Sequence, residues 1–434
     1  MPVVLADSVP RRPGKVRKMA RRFRYSPVQV LGVFLWGRRV GALAPTGTGY
    51  YAFEYDPEFL RSGIEISPLL MPLSKGAGPY VFSNLNRSEF MGLPPVFADS
   101  LPDAFGNGLI NEFMRANGVP WEQITPLDRL AYVGSRAMGA LTYEPERGPR
   151  ATRPFAMDMR QLVEQARLAM NGQLSKLSEA DALRMILRVG TSAGGGKAKA
   201  IVGWNRKTGQ FVAGDRDLPE GYEPWLIKFT PDEFPYRGPC EYAVYEKAKA
   251  AGVDMAECRL LELDGLKHFM TRRFDREGRT RFHVQTLSAM RGLPLDAAGS
   301  RYSYDQLFMT AEDLSMDYAA KEQLFRRMAF AVYVDESDDH AKNSSFLLKE
   351  DGPWMLAPAY DITGGAPQEA EEAGDSWCGW HNFHAMLING KQSDITDGDL
   401  LAVADRFGIG TARRVLGEVR TALEMKSDSA MGRH

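Results

Sequence analysis

The chain has little from which to build a covalent or metal framework. Its three cysteines, Cys240, Cys258 and Cys378, lie far apart and form no CxxC pair. That argues against a disulfide scaffold and against a zinc site. No apolar run is long enough to span a bilayer. The N-terminus has no signal-peptide core, because its basic residues follow a short apolar start instead of preceding it. These absences predict a cytoplasmic protein with no membrane partner. Charge of one sign is also missing: 54 Lys and Arg against 55 Asp and Glu give a formal net charge of -1. Nucleic-acid binding through overall charge is therefore disfavoured. Internal repeats and low-complexity segments are absent as well.

What is present is a chain of 434 residues with 44% hydrophobic residues, ample for a packed core and for two or more subdomains. Basic residues crowd into the first 24 positions, from Arg11 to Arg24. We expect residues 1–25 to form a disordered, solvated tail; the sharper alternative is a contact with DNA or an acidic partner. Residues 26–148 read as an N-terminal subdomain. A hairpin is predicted around 28–44, and a strand follows in Tyr50-Tyr-Ala-Phe-Glu-Tyr. Helical spacing appears from Asp103 to Asn117, and a second helix opens at Pro126 with Thr125 as its N-cap. The polar stretch at 148–155, with two prolines, marks a boundary. Residues 155–290 then carry a capped amphipathic helix at 178–189, a glycine loop, and strands in AKAIVGW, QFVAG and PWLIKF. The helix EYAVYEKAKAAG and the strands ECRLLEL and KHFMTRRFD complete this lobe. Residues 291–434 read as mainly helical, notably AAKEQLFRRMAFAVYV. The fold class predicted is α+β, in two lobes, with a β-rich N-terminal subdomain and a mainly helical C-terminal lobe.

One segment carries chemistry. Asp338 and Asn343 stand five residues apart between a long apolar helix and a short apolar strand. Protein kinases use this spacing for a base that receives a hydroxyl proton and an amide that holds magnesium. Asp361 follows an apolar strand pattern and precedes Gly364-Gly365, where a kinase puts its main metal ligand. Magnesium favours such hard oxygen donors. Upstream, Gly190-Thr-Ser-Ala-Gly-Gly-Gly-Lys-Ala-Lys could bring backbone N–H groups to phosphate. It has the spacing of neither a Walker A motif nor a strict GxGxxG. Lys228, inside an apolar strand, would neutralise phosphates, with Glu241 or Glu246 on the next helix as its partner. Each piece has a plainer explanation: a turn, a snorkelling lysine, a helix cap. Their order along the chain favours phosphoryl transfer from ATP. His340 would orient the loop. His381 and His384 make a weak metal pair.

The run Asp338-Asp-His-Ala-Lys-Asn-Ser-Ser resembles the D-G-H-x-K-N-[FS]-[SG] signature of HipA-type kinases. Tyr360-Asp-Ile-Thr resembles that family's metal motif, the glycine loop its G-S-S-x-G-G-A-x-P-K loop, and Arg272-Arg-Phe-Asp-Arg its hinge strand. Leu101-Pro-Asp and the hairpin from Gly32 resemble its N-terminal subdomain, so the likeness covers roughly residues 28–420. The resemblance implies a kinase-like fold with Asp338 as base and Asn343 and Asp361 on Mg2+. It implies that ATP meets Ser192, Ala193, Gly194, Gly195, Gly196, Lys199, Lys228, the backbone around Arg273 and Phe274, His340 and Lys342. It makes Ser192 an autophosphorylation site. It also implies a bacterial toxin that phosphorylates Ser or Thr of a translation-related protein such as an aminoacyl-tRNA synthetase. Its partner would be a small helix-turn-helix antitoxin through which DNA contact is mainly made. The alternatives are an inactive corepressor with the same fold, and a small-molecule or lipid phosphotransferase. The chain departs from the family where Asp339 replaces Gly and Arg272 replaces Glu. The +5 spacing favours Asp338 over Asp339 as base, so Asp339→Gly should be mild. Neither the basic tail nor the acidic insert from Gln368 to Asp375 matches a family role.

Overall fold

The computed structural model describes residues 25–148, 159–170, 198–214, 218–295, 302–375 and 383–431. The basic tail, the helix expected at 178–189 and the glycine-loop residues 190–197 lie outside this set. Among the described residues no helix is long and apolar enough to cross a membrane.

The N-terminal subdomain begins as the expected hairpin, β1 (Leu31–Leu35) and β2 (Arg38–Pro45). Trp36 and Gly37 turn it with φ of 50° and 79°, the conformation a tight hairpin needs. β3 (Tyr51–Tyr55) and β4 (Leu141–Glu144) complete an antiparallel sheet in the order β3-β2-β1-β4. Burial alternates along β1, with Leu31, Val33 and Leu35 turned into a core that includes Phe53 and Phe97. α1 (Ala104–Ala116) starts at Asp103, whose carboxylate accepts from the Gly106 N–H at 2.6 Å. α2 (Pro126–Val133) is opened by a reciprocal cap between Thr125 and Asp128.

The second lobe is a five-stranded antiparallel sheet. It comprises β5 (Lys199–Asn205), β6 (Phe211–Ala213), β7 (Tyr222–Lys228), β8 (Cys258–Leu263) and β9 (Leu266–Arg272), ordered β6-β5-β7-β9-β8. α3 (Met159–Met170) packs Leu162 and Val163 against Val202, Trp225 and Met270. α4 (Arg237–Ala250) places Ala248 in a different core with Cys258 and Phe269. Neighbouring residues 269 and 270 thus serve opposite faces, as a strand requires.

A two-residue hairpin, β10 (Arg276–Glu277) and β11 (Thr280–Arg281), leads into the third part. There β12 (His283–Thr286), β13 (Ser345–Leu348) and β14 (Trp354–Leu356) form an antiparallel sheet among helices. The helices include α5 (Leu287–Arg291), α6 (Tyr304–Asp313), α7 (Tyr318–Tyr333), α8 (Asp397–Arg406) and α9 (Ala412–Met431), with a further short helix at Gln368–Glu372. Phe308, Phe325, Phe330 and Phe346 are fully buried at its centre.

The N-terminal subdomain docks along β12. Ile66 O lies 2.9 Å from His283 Nε2, and Asp99 accepts from the Thr286 N–H at 2.8 Å. Asp275 accepts from the Gly139 N–H at 2.7 Å, and Arg276 donates to the Gly139 carbonyl at 2.8 Å. These contacts fix the subdomain to the stretch from Asp275 to Thr286.

Candidate active site

Lys228 ends β7 and is mostly buried. Its Nζ forms ion pairs with Glu241 of α4 and with Asp361. Burial alone would lower the lysine pKa, but the two carboxylates outweigh it and hold the ammonium above its ordinary value. Of the two glutamates proposed from sequence, Glu241 is the partner, and Glu246 faces solvent. Lys199 stands opposite Lys228 in the β5–β7 register. Its Nζ lies 2.9 Å from Asp103 Oδ2 of the N-terminal subdomain, both side chains being buried. Burial is the main influence on Lys199 and lowers its pKa.

The loop after α7 is held to the segment after β14. Asp335 turns the chain with φ of 54°, and Gly364 has φ of 70°. The Gly365 N–H donates to the Val334 carbonyl at 2.7 Å. A Cβ on Gly365 would stand 3.0 Å from Asp335 Cβ, so glycine permits this approach. Asp361 itself has φ of 55°. It is not at a strand end, as the sequence suggested: β14 stops at Leu356, and the chain then makes only an isolated bridge from Ala359 to Met255.

Glu336 joins the two segments. It is 3% exposed. Oε1 accepts from the Asp338 N–H at 2.7 Å, and Oε2 accepts from the N–H of Thr363 and, at 2.8 Å, from that of Gly364. Burial pushes this carboxyl up to about 7 against the pull of those amides. Asn343 donates from Nδ2 to the Asp338 carbonyl at 2.7 Å. Its amide oxygen therefore remains the group to offer a cation. His340 Nε2 lies 3.6 Å from Asp338 Oδ1, within the same loop. Lys342 reaches Glu89 of the N-terminal subdomain at 2.5 Å. Tyr360 donates to the Lys342 carbonyl at 2.6 Å.

Asp338 and Asp339, adjacent in sequence, have different surroundings. Asp338 keeps 30% of its side chain exposed. Asp339 is buried and accepts from Tyr304 Oη at 2.8 Å and from the Ala385 N–H at 2.6 Å, with His384 Nδ1 2.9 Å away. His384 is thus engaged with a carboxylate, and His381 lies outside the described residues.

Arg273 is buried against Asp275, with Nε–Oδ1 at 2.9 Å, and its backbone N–H donates to the Pro224 carbonyl at 3.0 Å. Burial would raise the Asp275 carboxyl, but Arg273 and Arg276 hold it well below the usual carboxylate range. The Phe274 ring lies 5.4 Å from that of Tyr360. Ser192, Ala193, Gly194, Gly195 and Gly196 lie outside the described residues. Sequence reasoning missed Glu336, Asp103 and Glu89, whose partners are fixed only by tertiary contact. For Glu336 there was one signal, a second acidic residue after Asp335 past the end of the helix and two positions before the base.

Among the described residues no group of three His, Cys, Asp or Glu could by itself hold a metal ion. A magnesium ion that takes one carboxylate, one amide oxygen and otherwise phosphate and water needs no such cage. Asp361 and Asn343 fit that donor set.

Two family models match the chain: the HipA N-terminal domain over residues 31–144 and the HipA-like C-terminal domain over residues 191–427. A protein of Haemophilus influenzae named as a candidate kinase is 26% identical over 156 residues. That match covers 33% of this chain and less than half, 46%, of the relative. Y4dM of Sinorhizobium fredii, also named as a candidate kinase, is 24% identical over 356 residues, 78% of each chain. Among solved structures, HipA of Shewanella oneidensis MR-1, in a complex with HipB and its operator DNA, superposes with a TM-score of 0.63. It covers 91% of both chains at 17% identity, a likeness of fold. The two domain matches, in order and with the second spanning more than half of the chain, show that the chain belongs to the HipA family.

Proposed function

We propose that this chain is an ATP- and Mg2+-dependent protein kinase that phosphorylates Ser or Thr. The observation that carries the proposal is the meeting of Lys228, Glu241 and Asp361, from three separate stretches of chain, in a turn that Glu336 ties to the loop of Asp338 and Asn343. In this reading Lys228 steadies the phosphates, and Glu241 aims the lysine. Asp361 and Asn343 hold magnesium, which shields charge on the phosphates. Asp338, exposed enough to meet a substrate, accepts the hydroxyl proton. The hydroxyl oxygen bonds to the γ-phosphorus while the bond to the β-phosphate oxygen breaks, and ADP leaves. His340 and Lys342 shape the loop, and Lys199, buried against Asp103, adds positive charge beside Lys228. The backbone near Arg273 and Phe274 faces the base of the nucleotide.

The proposal extends to biology. The solved relative is a toxin bound to HipB and operator DNA. By that likeness this chain acts as the toxin of such a pair, with a small DNA-binding antitoxin, and acts on a translation-related protein such as an aminoacyl-tRNA synthetase. Ser192, in the glycine loop, is the site of self-modification. A phosphate there adds about -1.5 to -2 charges beside an anionic nucleotide and weakens ATP binding. The test is incubation of a bacterial lysate with labelled ATP and magnesium. Labelled phosphoserine or phosphothreonine on a protein, lost when Asp338→Asn replaces the wild type, supports the reading. Label confined to lipids or metabolites refutes it.

A further inference from the structure

The site has two halves, and they come from separate stretches of chain. The base loop follows α7, and the metal turn follows β14. Gly365 to Val334 and Tyr360 to Lys342 join them at the flanks, and between these a buried carboxylate bridges both. Glu336 takes backbone N–H groups from Asp338 on one side and from Thr363 and Gly364 on the other. A buried carboxylate is costly, and an aliphatic residue would end α7 at less cost. An aliphatic residue would leave three N–H groups without this acceptor, and a glutamine would offer one accepting oxygen where two are used.

We propose that Glu336 is a positioning residue that fixes the base loop and the metal turn to one another, so that Asp338 and Asp361 hold a constant relation. The inference rests on the kinase reading for its consequence in turnover, but not for the clamp itself. The clamp has a signature that separates its two arms. Glu336→Gln weakens both. Glu336→Asp is one methylene shorter. A side chain of that length still bonds an N–H two residues on, as Asp does in turns. It no longer reaches residues 363 and 364.

The experiment is amide hydrogen exchange on the full chain, read in peptides spanning 334–340 and 361–366, with melting temperature and kinase turnover measured in parallel. In Glu336→Gln both peptides should exchange about tenfold faster while α9 and the β1–β4 sheet keep their protection. In Glu336→Asp only the 361–366 peptide should do so. Turnover should fall about 10- to 100-fold in both variants with KM for ATP little changed, the cost of losing support for a ligand or base. Unchanged exchange in both peptides, or equal loosening throughout the molecule, overturns the clamp. If the wild type transfers no phosphate, the kinase reading fails, and the exchange pattern still decides the clamp.

Discussion

Lys228 and Asp361, 133 residues apart in the chain, are joined by an ion pair that also engages Glu241. One ammonium is shared by two carboxylates, so the lysine holds together the sheet lobe, α4 and the metal turn.

Replacing that lysine should therefore cost stability as well as activity. Lys228→Met leaves Glu241 and Asp361 facing each other without a cation, which should destabilise the fold by about 3 kcal/mol. Urea denaturation measures this. A midpoint equal to wild type would show that the pair is not formed in solution.

Asp361→Asn tests the metal assignment with little structural cost. Asparagine tolerates the positive φ of this position. Stability should fall by no more than about 1–2 kcal/mol. Calorimetric titration with ATP should lose its dependence on magnesium. A magnesium response equal to wild type would remove Asp361 from the ligand set.

For the neighbouring carboxylate the mild effect expected from sequence concerns turnover, and its buried contacts add a separate expectation for stability. Asp339→Gly deprives Tyr304, His384 and the Ala385 N–H of their shared acceptor inside the protein. A loss of about 2–4 kcal/mol follows. Thermal unfolding should place this variant well below Asp338→Asn. The reverse order would mean that the roles of the two residues have been exchanged.

The docking of the N-terminal subdomain should weaken in acid. Burial lowers the His283 pKa to about 4, from an ordinary 6.5. A base depressed in the folded state contributes stability that is present above about pH 6.5 and is lost as pH falls towards 4. The full effect is up to about 3 kcal/mol. Denaturation at pH 7 and pH 5 should show this loss in wild type and a smaller one in His283→Gln. Equal losses in both would assign the acid response to other groups.

Much of this architecture was legible because its signals are local. Thr125 and Pro126 announce the start of α2, and the hairpin at Trp36-Gly37 follows from apolar runs around a turn. The order of Lys228, Glu241, Asp338, Asn343 and Asp361 could also be read directly. What could not be read was pairing between distant segments. Nothing near Glu336 names Thr363 and Gly364, and nothing near Lys199 names Asp103. The choice of Glu241 over Glu246 needed the helix phase relative to the sheet. The burial of Asp339 needed Tyr304 and His384, which come from opposite sides of it in the chain.

In the proposed function Asp338 is the base in transfer of phosphate from ATP to a protein hydroxyl. One comparison tests it most directly: wild type and Asp338→Asn, each incubated with magnesium and ATP, with ATP affinity measured by calorimetry and phosphate on protein by mass spectrometry. The base acts on the acceptor hydroxyl and not on the nucleotide. ATP affinity should be equal in both proteins, with phosphorylated Ser or Thr formed by the wild type and a loss of orders of magnitude in the variant. Phosphate transfer by Asp338→Asn at the wild-type rate would contradict that role.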